Sequence, residues 1–253
     1  MKSKQIFLSP SAGKKLIALA LAQDASVLEA MEKHTVLVVA GTTNAYLAEA
    51  LLARLGDTDF EKYRFFRGII RREGIPESLG KLEGDVIIRK GEHIRGKSIH
   101  DVADEMKAGD MIFKGANAVH LATGESAVLA GNPTSGTMGP IYRAAVGRRV
   151  RVIVPVGVEK RVEQPIHELC QIVNRAQASG LRLAPSVGMA YTELDAIRNL
   201  TGANPHLIAA GGVCGCEGSA FFQCEGTGEQ LEKLEYWLHQ VSSTPRFSFA
   251  NCK

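Results

Sequence analysis

The chain reads as an α/β protein, a mostly parallel sheet with helices on both faces followed by a smaller α+β unit. Three observations predict this. Three short runs at 35–40 (TVLVVA), 110–114 (DMIFK) and 150–156 (VRVIVPV) are apolar and β-branched, and too short for helices. Strands that are apolar on both faces need cover on both faces, as in a parallel sheet between helix layers. The first run leads at once into a segment where Tyr46, Leu47, Ala50, Leu51 and Leu55 recur at helical spacing. Beyond Glu159 the pattern becomes a long helix, then strand, helix, two strands and helix, which is the order of an α+β unit.

Composition sets the outer bounds. At 253 residues there is room for one large domain, or a large one with a small companion. Apolar content of 45% and charged content of 23% are those of an ordinary globular chain. A net charge of +3 is too weak to make nucleic acid the principal partner. No apolar run reaches the roughly eighteen residues of a membrane span. The opening basic stretch and LIALALA run into Gln23, Asp24 and Ser26 with no small-x-small cleavage site, so a helix capped near Ser9 or Ser11 is expected rather than a leader. A cytoplasmic protein is the expectation. Five cysteines, an odd number, do not suit a disulfide framework.

The elements follow in order. Helices are expected over about 12–22 and 26–33. The first strand ends in Gly41-Thr42-Thr43-Asn44, and its helix follows. FRGII at 66–70 is expected to be a strand, Pro76 and Gly80 mark a loop, and DVIIRKG from Asp85 is another strand turning at Gly91. A short helix starts at Ser98 and ends near Gly109. After the 110–114 strand, SAVLAG reads as a further strand, and Pro140 sits early in a helix, where proline is tolerated. Gln164–Ser179 reads as a long amphipathic helix, Leu181–Val187 as a strand and Thr192–Leu200 as a helix. A hairpin around CGCEGS, from His206 to Gly226, and a helix over Glu229–Val241 close the chain. The change of texture predicts a boundary dividing 1–163 from 164–253.

Two small-residue turns carry the functional reading. Gly41, Thr42, Thr43 and Asn44 precede one helix; Ser135, Gly136 and Thr137, in SGTMG, precede another. Free backbone N–H groups at a helix start favour an anion, and turns at the carboxyl ends of parallel strands share one edge. Neither turn is a Walker A loop or a GxGxxG fingerprint. Lys114 ends its strand toward the same edge, followed by Gly115, Asn117 and His120. Glu125 and Glu159 are the carboxylates nearest the glycine-rich pieces, and a pocket carboxylate can act as a base. An ion pair or helix cap accounts equally well for Glu159 and Lys160. Arg64, Arg67, Arg71 and Arg72 lie among Tyr63, Phe65 and Phe66, which suits phosphate recognition or a charged subunit interface in a homo-oligomer. Cys214, Cys216 and Cys224 lack the spacing and fourth ligand of a zinc site, so no metal and no cofactor is expected.

TVLVVAGTTNAYLAEAL, DMIFKGANAV and VRVIVPVGVEKRV together resemble the superfamily of ribose-5-phosphate isomerases, glucosamine-6-phosphate deaminases and CoA-transferases, with the lactate-utilisation (LUD) domains. The resemblance covers about 34–163. It implies a Rossmann-like fold, and GTTN stands where the isomerases place a phosphate-cradling Gly-Thr-Gly-Ser-Thr turn. The isomerases' Asp-Gly-Ala-Asp-Glu stretch is missing, and the spacing from Lys114 to Glu125 is longer than theirs. Of the CoA-transferase nucleophile stretch only GESAV comes close.

The expectation is therefore a binder of a small phosphorylated or carboxylated metabolite, isomerase-like if catalytic, with Glu125 as base and Lys114 as stabiliser. A non-catalytic metabolite sensor and CoA-transferase-like acyl transfer are the alternatives.

Overall fold

The computed structural model describes residues 1–68 and 84–247. Strand β1 (Lys2–Leu8) leads into helices α1 (Pro10–Leu21) and α2 (Ala25–Lys33). Strand β2 (Thr35–Val38) and helix α3 (Thr42–Arg54) follow, then β3 (Val86–Arg89), β4 (Glu92–Ile94), α4 (Ile99–Val102) and β5 (Met111–Phe113). A hairpin of β6 (Ala118–His120) and β7 (Glu125–Ala130) precedes α5 (Met138–Tyr142), β8 (Arg151–Pro155) and α6 (Ile166–Val173). The chain closes with β9 (Arg182–Pro185), β10 (Met189–Tyr191), α7 (Glu193–Thr201), β11 (Asn204–Gly211), β12 (Ser219–Gly226) and α8 (Gly228–Val241).

The largest sheet has six strands in the order β10-β8-β5-β2-β3-β4. The three expected strands lie side by side and parallel in it, with β10 parallel at one edge. Strand β3 runs antiparallel to both β2 and β4, so the sheet is mixed. Side chains alternate between its faces with the period of two that a pleated strand imposes. Val36, Val38, Met111 and Phe113 join the cluster built by α1, α2 and α3. Leu37, Val39 and Ile112 join the opposite cluster with Ile99 and Val102 of α4 and Met138 and Ile141 of α5. The unbroken apolar runs are thereby explained: both faces are covered.

Segments beyond 163 interleave with earlier ones. Strand β12 pairs antiparallel with β1 and with β11 in a three-stranded sheet. Strand β9 pairs with β7, and β10 extends the large sheet. Ile6, Leu16, Phe222, Leu231 and Leu234 belong to one core cluster. Helix α6 stops at Val173, short of the expected Ser179, because the Asn174 side chain bonds the backbone of β9 instead. Its amide donates to the Leu183 carbonyl at 2.8 Å and its oxygen accepts from the Leu183 N–H at 2.9 Å. Ile69 and Ile70 of the expected FRGII strand and the Pro76 loop lie outside the described residues, as do Arg71, Arg72 and Cys252, while Phe66, Arg67 and Gly68 are described and form no strand. Among the described residues, no helix is long and apolar enough to cross a membrane.

Three buried polar side chains tie the parallel strands together. At their amino ends Asp110 accepts from the Thr35 N–H (2.8 Å) and the Lys107 N–H (2.8 Å). At their carboxyl ends the Asn44 amide donates to the carbonyls of Val39 (2.7 Å) and Phe113 (3.0 Å), so one side chain joins β2 to β5. Asp85 accepts from the Ala40 N–H (2.9 Å) and the Ile99 N–H (2.8 Å), bringing β3 and α4 to the same place. Asn44→Ala removes both donors and is expected to cost about 1–3 kcal/mol. Asn44→Asp sets a carboxylate against two carbonyls and is expected to cost more. Urea denaturation checks the order; an Asp variant as stable as wild type would refute the clamp.

Candidate functional site

The carboxyl edge held by Asn44 and Asp85 opens into a cleft of about 350 Å³. After β2 the backbone is extended at Gly41, and α3 begins at Thr42 with no side chain capping it. The N–H groups of its first turn therefore face the cleft without the usual side-chain acceptor. Ala45 donates to Gly41 O (2.8 Å), which starts the helix. After β5 the Lys114 N–H donates to Ile153 O (3.1 Å), carrying the strand pairing one residue further, and Gly115 turns the chain. After β8 a single 3₁₀ turn, Val158–Lys160, delivers Lys160. Helix α1 brings Lys14, and Arg67 comes from the segment ahead of β3.

Four cations from four separate segments thus line one cleft: Lys14, Arg67, Lys114 and Lys160. Arg67 is paired with Asp85, Nη1 to Oδ1 at 2.9 Å. The lysines are not so paired: among the described residues none of the three has a carboxylate at ion-pair distance. Lys114 Nζ donates to Gly115 O (3.2 Å) and Lys160 Nζ to Ala116 O (2.8 Å). Burial pushes the Lys114 ammonium down to about 8; Lys160 and Arg67 act in the same direction and Asp85 opposes them. Burial also lowers Lys160, helped by Lys14 and opposed by Glu159 and Glu193. Cations gathered this way repel one another and lack their hydration, and a bound anion would relieve both costs.

Beside the cleft stands a carboxyl pair. Glu193, the first residue of α7, is 3% exposed, and its Oε2 accepts from the Val158 N–H at 2.8 Å. Burial raises its pKa far above the ordinary range, the Glu159 carboxylate adds to this, and the Val158 hydrogen bond works against it. Gly13 of α1 makes the room: a Cβ there would collide with the Glu193 carboxyl.

The cleft continues into a second lobe of about 440 Å³. Ala40, Arg67, Lys114, Val128 and Leu129 line both lobes, so Lys114 stands at the junction. Ser135, Gly136 and Thr137 line the second lobe with His100 and Asn132. Asn132 Oδ1 shapes this loop by accepting from the Thr134 N–H (2.8 Å) and hydroxyl (2.7 Å).

Of the residues singled out from the sequence, Gly41, Thr42, Thr43, Asn44, Lys114, Gly115 and Asn117 lie around the first lobe. Two of them serve the scaffold as well. Asn44 is the strand clamp, and Asn117 Oδ1 accepts from the Leu129 N–H (3.0 Å). Thr43 is 3% exposed. His120 and Glu125 line neither lobe. They flank the turn of the β6–β7 hairpin, joined through Thr123 Oγ1, which contacts His120 Nδ1 (2.9 Å) and donates to Glu125 Oε2 (3.0 Å).

Arg64 pairs with Glu61, and Lys62 lies over the Tyr46 and Tyr63 rings. Tyr63 and Phe66 pack on Phe247. Cys224 is buried between β1 and β11, where its thiol is pushed up to about 11, and Cys214 is exposed. Among the described residues no three metal-ligating side chains gather.

Sequence reasoning passed over Lys14 and Glu193, and left Lys160 as a cap or ion pair. The available signals were faint: Lys14 and Lys15 together interrupt a mostly apolar helix, and Lys160 follows a buried strand by five residues.

The lowered Lys114 pKa has a thermodynamic sign. Between about 8 and the ordinary 10.5 the unfolded chain binds more protons at this position than the folded chain. Wild type should therefore gain stability relative to Lys114→Met as pH rises through that window, by at most about 1.4 kcal/mol per unit. Denaturant titrations of both chains at pH 7 and pH 10 test this, and a pH-independent difference would contradict it.

Comparison of the chain with protein-family models, curated proteins and solved structures returned no match.

Proposed function

We propose that the chain binds a small phosphorylated or carboxylated metabolite in the cleft at the carboxyl edge of the parallel strands. The observation that carries this reading is the gathering of Lys14, Lys114 and Lys160 around the uncapped start of α3. Three ammoniums with no carboxylate at ion-pair distance among the described residues cost folding free energy through desolvation and mutual repulsion. Backbone N–H groups at a helix start supply what an anion needs in addition: directed donors and the positive end of a dipole. The resemblance to sugar-phosphate isomerases supports the same ligand class.

If the protein is an enzyme, an isomerase-like proton transfer needs a base at the ligand. Glu125 is at the hairpin turn, away from the lining residues, so the base would have to be another group. Among the described residues, neither lobe is lined by a carboxylate. That observation favours a second reading, a non-catalytic metabolite sensor. Thermal-shift screening against sugar phosphates, acyl-CoAs, nucleotides and carboxylates, followed by a turnover assay, separates the two. Stabilisation without turnover marks the sensor; stabilisation with turnover marks the enzyme.

Titration calorimetry with sulfate, a dianion at all working pH values, tests the site itself. Lys114→Met and Lys160→Met should each weaken binding by about 1–3 kcal/mol, the usual loss when one charge-assisted bond is removed. Glu125→Gln should leave it unchanged. Equal affinity in wild type and both lysine variants would move the anion elsewhere.

A further inference from the structure

The lining of the cleft limits the chemistry available there. Its first lobe carries no Asp, Glu, His or Cys among the described residues, and its second adds only His100. Nitrogen nucleophiles are therefore the main reactive groups. Arg67 cannot lose its proton under working conditions and is held by Asp85. Lys160 is bonded to Ala116 O at 2.8 Å, and Lys14 lines only the first lobe. Lys114 is different in position. Among the described residues its side chain makes only the longer bond to Gly115 O (3.2 Å), and it lines both lobes.

We propose that Lys114 is a covalent carbonyl site, its amine condensing with the aldehyde or keto group of an anionic ligand. This rests on the anion-binding reading above, since the phosphate or carboxylate would sit against Lys14, Lys160 and the start of α3. The carbonyl carbon then falls at the junction of the lobes. The remainder of the ligand lies along Val128 and Leu129 toward Ser135–Thr137.

The step balances without a co-reactant. The free amine of Lys114 attacks the carbonyl carbon, a C–N bond forms, and the oxygen takes up a proton to give a carbinolamine. Loss of that hydroxyl with a proton as water leaves a C=N bond. Net, one amine and one carbonyl become one imine and one water. Burial first, and after it the neighbouring Lys160 and Arg67, favour the neutral amine that this attack requires, the means by which a buried lysine beside other positive groups becomes a nucleophile. With its pKa lowered to about 8, Lys114 has a much larger share of free amine at pH 8 than an ordinary lysine, of which well under one in a hundred is free.

The test is borohydride trapping on the full chain with glyceraldehyde 3-phosphate in one arm and pyruvate in the other, at pH 8. Hydride reduction fixes an imine as a secondary amine, and peptide mass spectrometry locates it. Labelling of Lys114 should exceed that of exposed Lys33 and Lys233 by about tenfold or more, as its larger free-amine fraction dictates. Sulfate should suppress it, and Lys114→Arg should abolish it. The arm in which Lys114 labelling most exceeds that of Lys33 and Lys233, a ratio that cancels the difference between aldehyde and ketone reactivity, identifies the anionic group as phosphate or carboxylate. Labelling spread evenly over exposed lysines, or surviving in Lys114→Arg, overturns the proposal. Sulfate binding measured on the same preparation separates the two claims. Binding without a Lys114 adduct refutes the covalent step alone; no binding and no adduct refutes the anion site with it.

Discussion

The arrangement depends on the hydrogen bonds that fix the carboxyl ends of β2 and β5 and the amino end of the antiparallel β3 in one place. Asn44 reaches back from the first turn of α3 to the last carbonyls of two strands. Because the clamp residue is itself part of that helix, the start of α3 cannot move without breaking the junction of β2 and β5. Asp85 fixes the neighbouring strand in the same way and orients Arg67 at the rim. These groups are buried, so each unmade bond would carry its full desolvation cost. The cleft geometry is thus a consequence of how the sheet is held together.

What the scaffold positions is an excess of positive charge. Asp85 and Asp110 are both spent on backbone N–H groups, and Glu193 is buried against Val158 with its charge disfavoured. The lysines are left facing one another across the cleft. A structural ion-pair network would have placed a carboxylate between them. Its absence among the described residues is the physical argument for an external anion, and it is stronger than the helix start alone, since many helix starts face only water.

Much of this was legible in the sequence, for reasons tied to particular residues. The runs 35–40, 110–114 and 150–156 announced strands covered on both faces, because in each of them neighbouring apolar residues feed opposite clusters. GTTN does end a parallel strand at the carboxyl edge, but SGTMG follows β7 of the separate antiparallel sheet β6-β7-β9 and reaches the cleft only at its second lobe. Other features depended on contacts that no local pattern encodes. β10 is three residues long and exists because it pairs with β8. β1 alternates, with Ile6 and Leu8 inward and Phe7 outward, yet its partner β12 lies over two hundred residues away. Lys14 was hidden for the same reason: only the packing of α1 against α3 and α7 brings it to a cleft built from later segments. His120 and Glu125 looked close to Lys114 along the chain, but the β6–β7 hairpin carries them away from it.

The central claim is that an anion sits at the start of α3, among the lysines. The most direct measurement is a sulfate titration followed by amide ¹H–¹⁵N spectra of the assigned protein. The account predicts that the largest shifts fall on the backbone amides of Thr42, Thr43 and Asn44, with Gly115 and Lys160 next. Shifts confined to residues outside the cleft, with those amides unmoved, would contradict it.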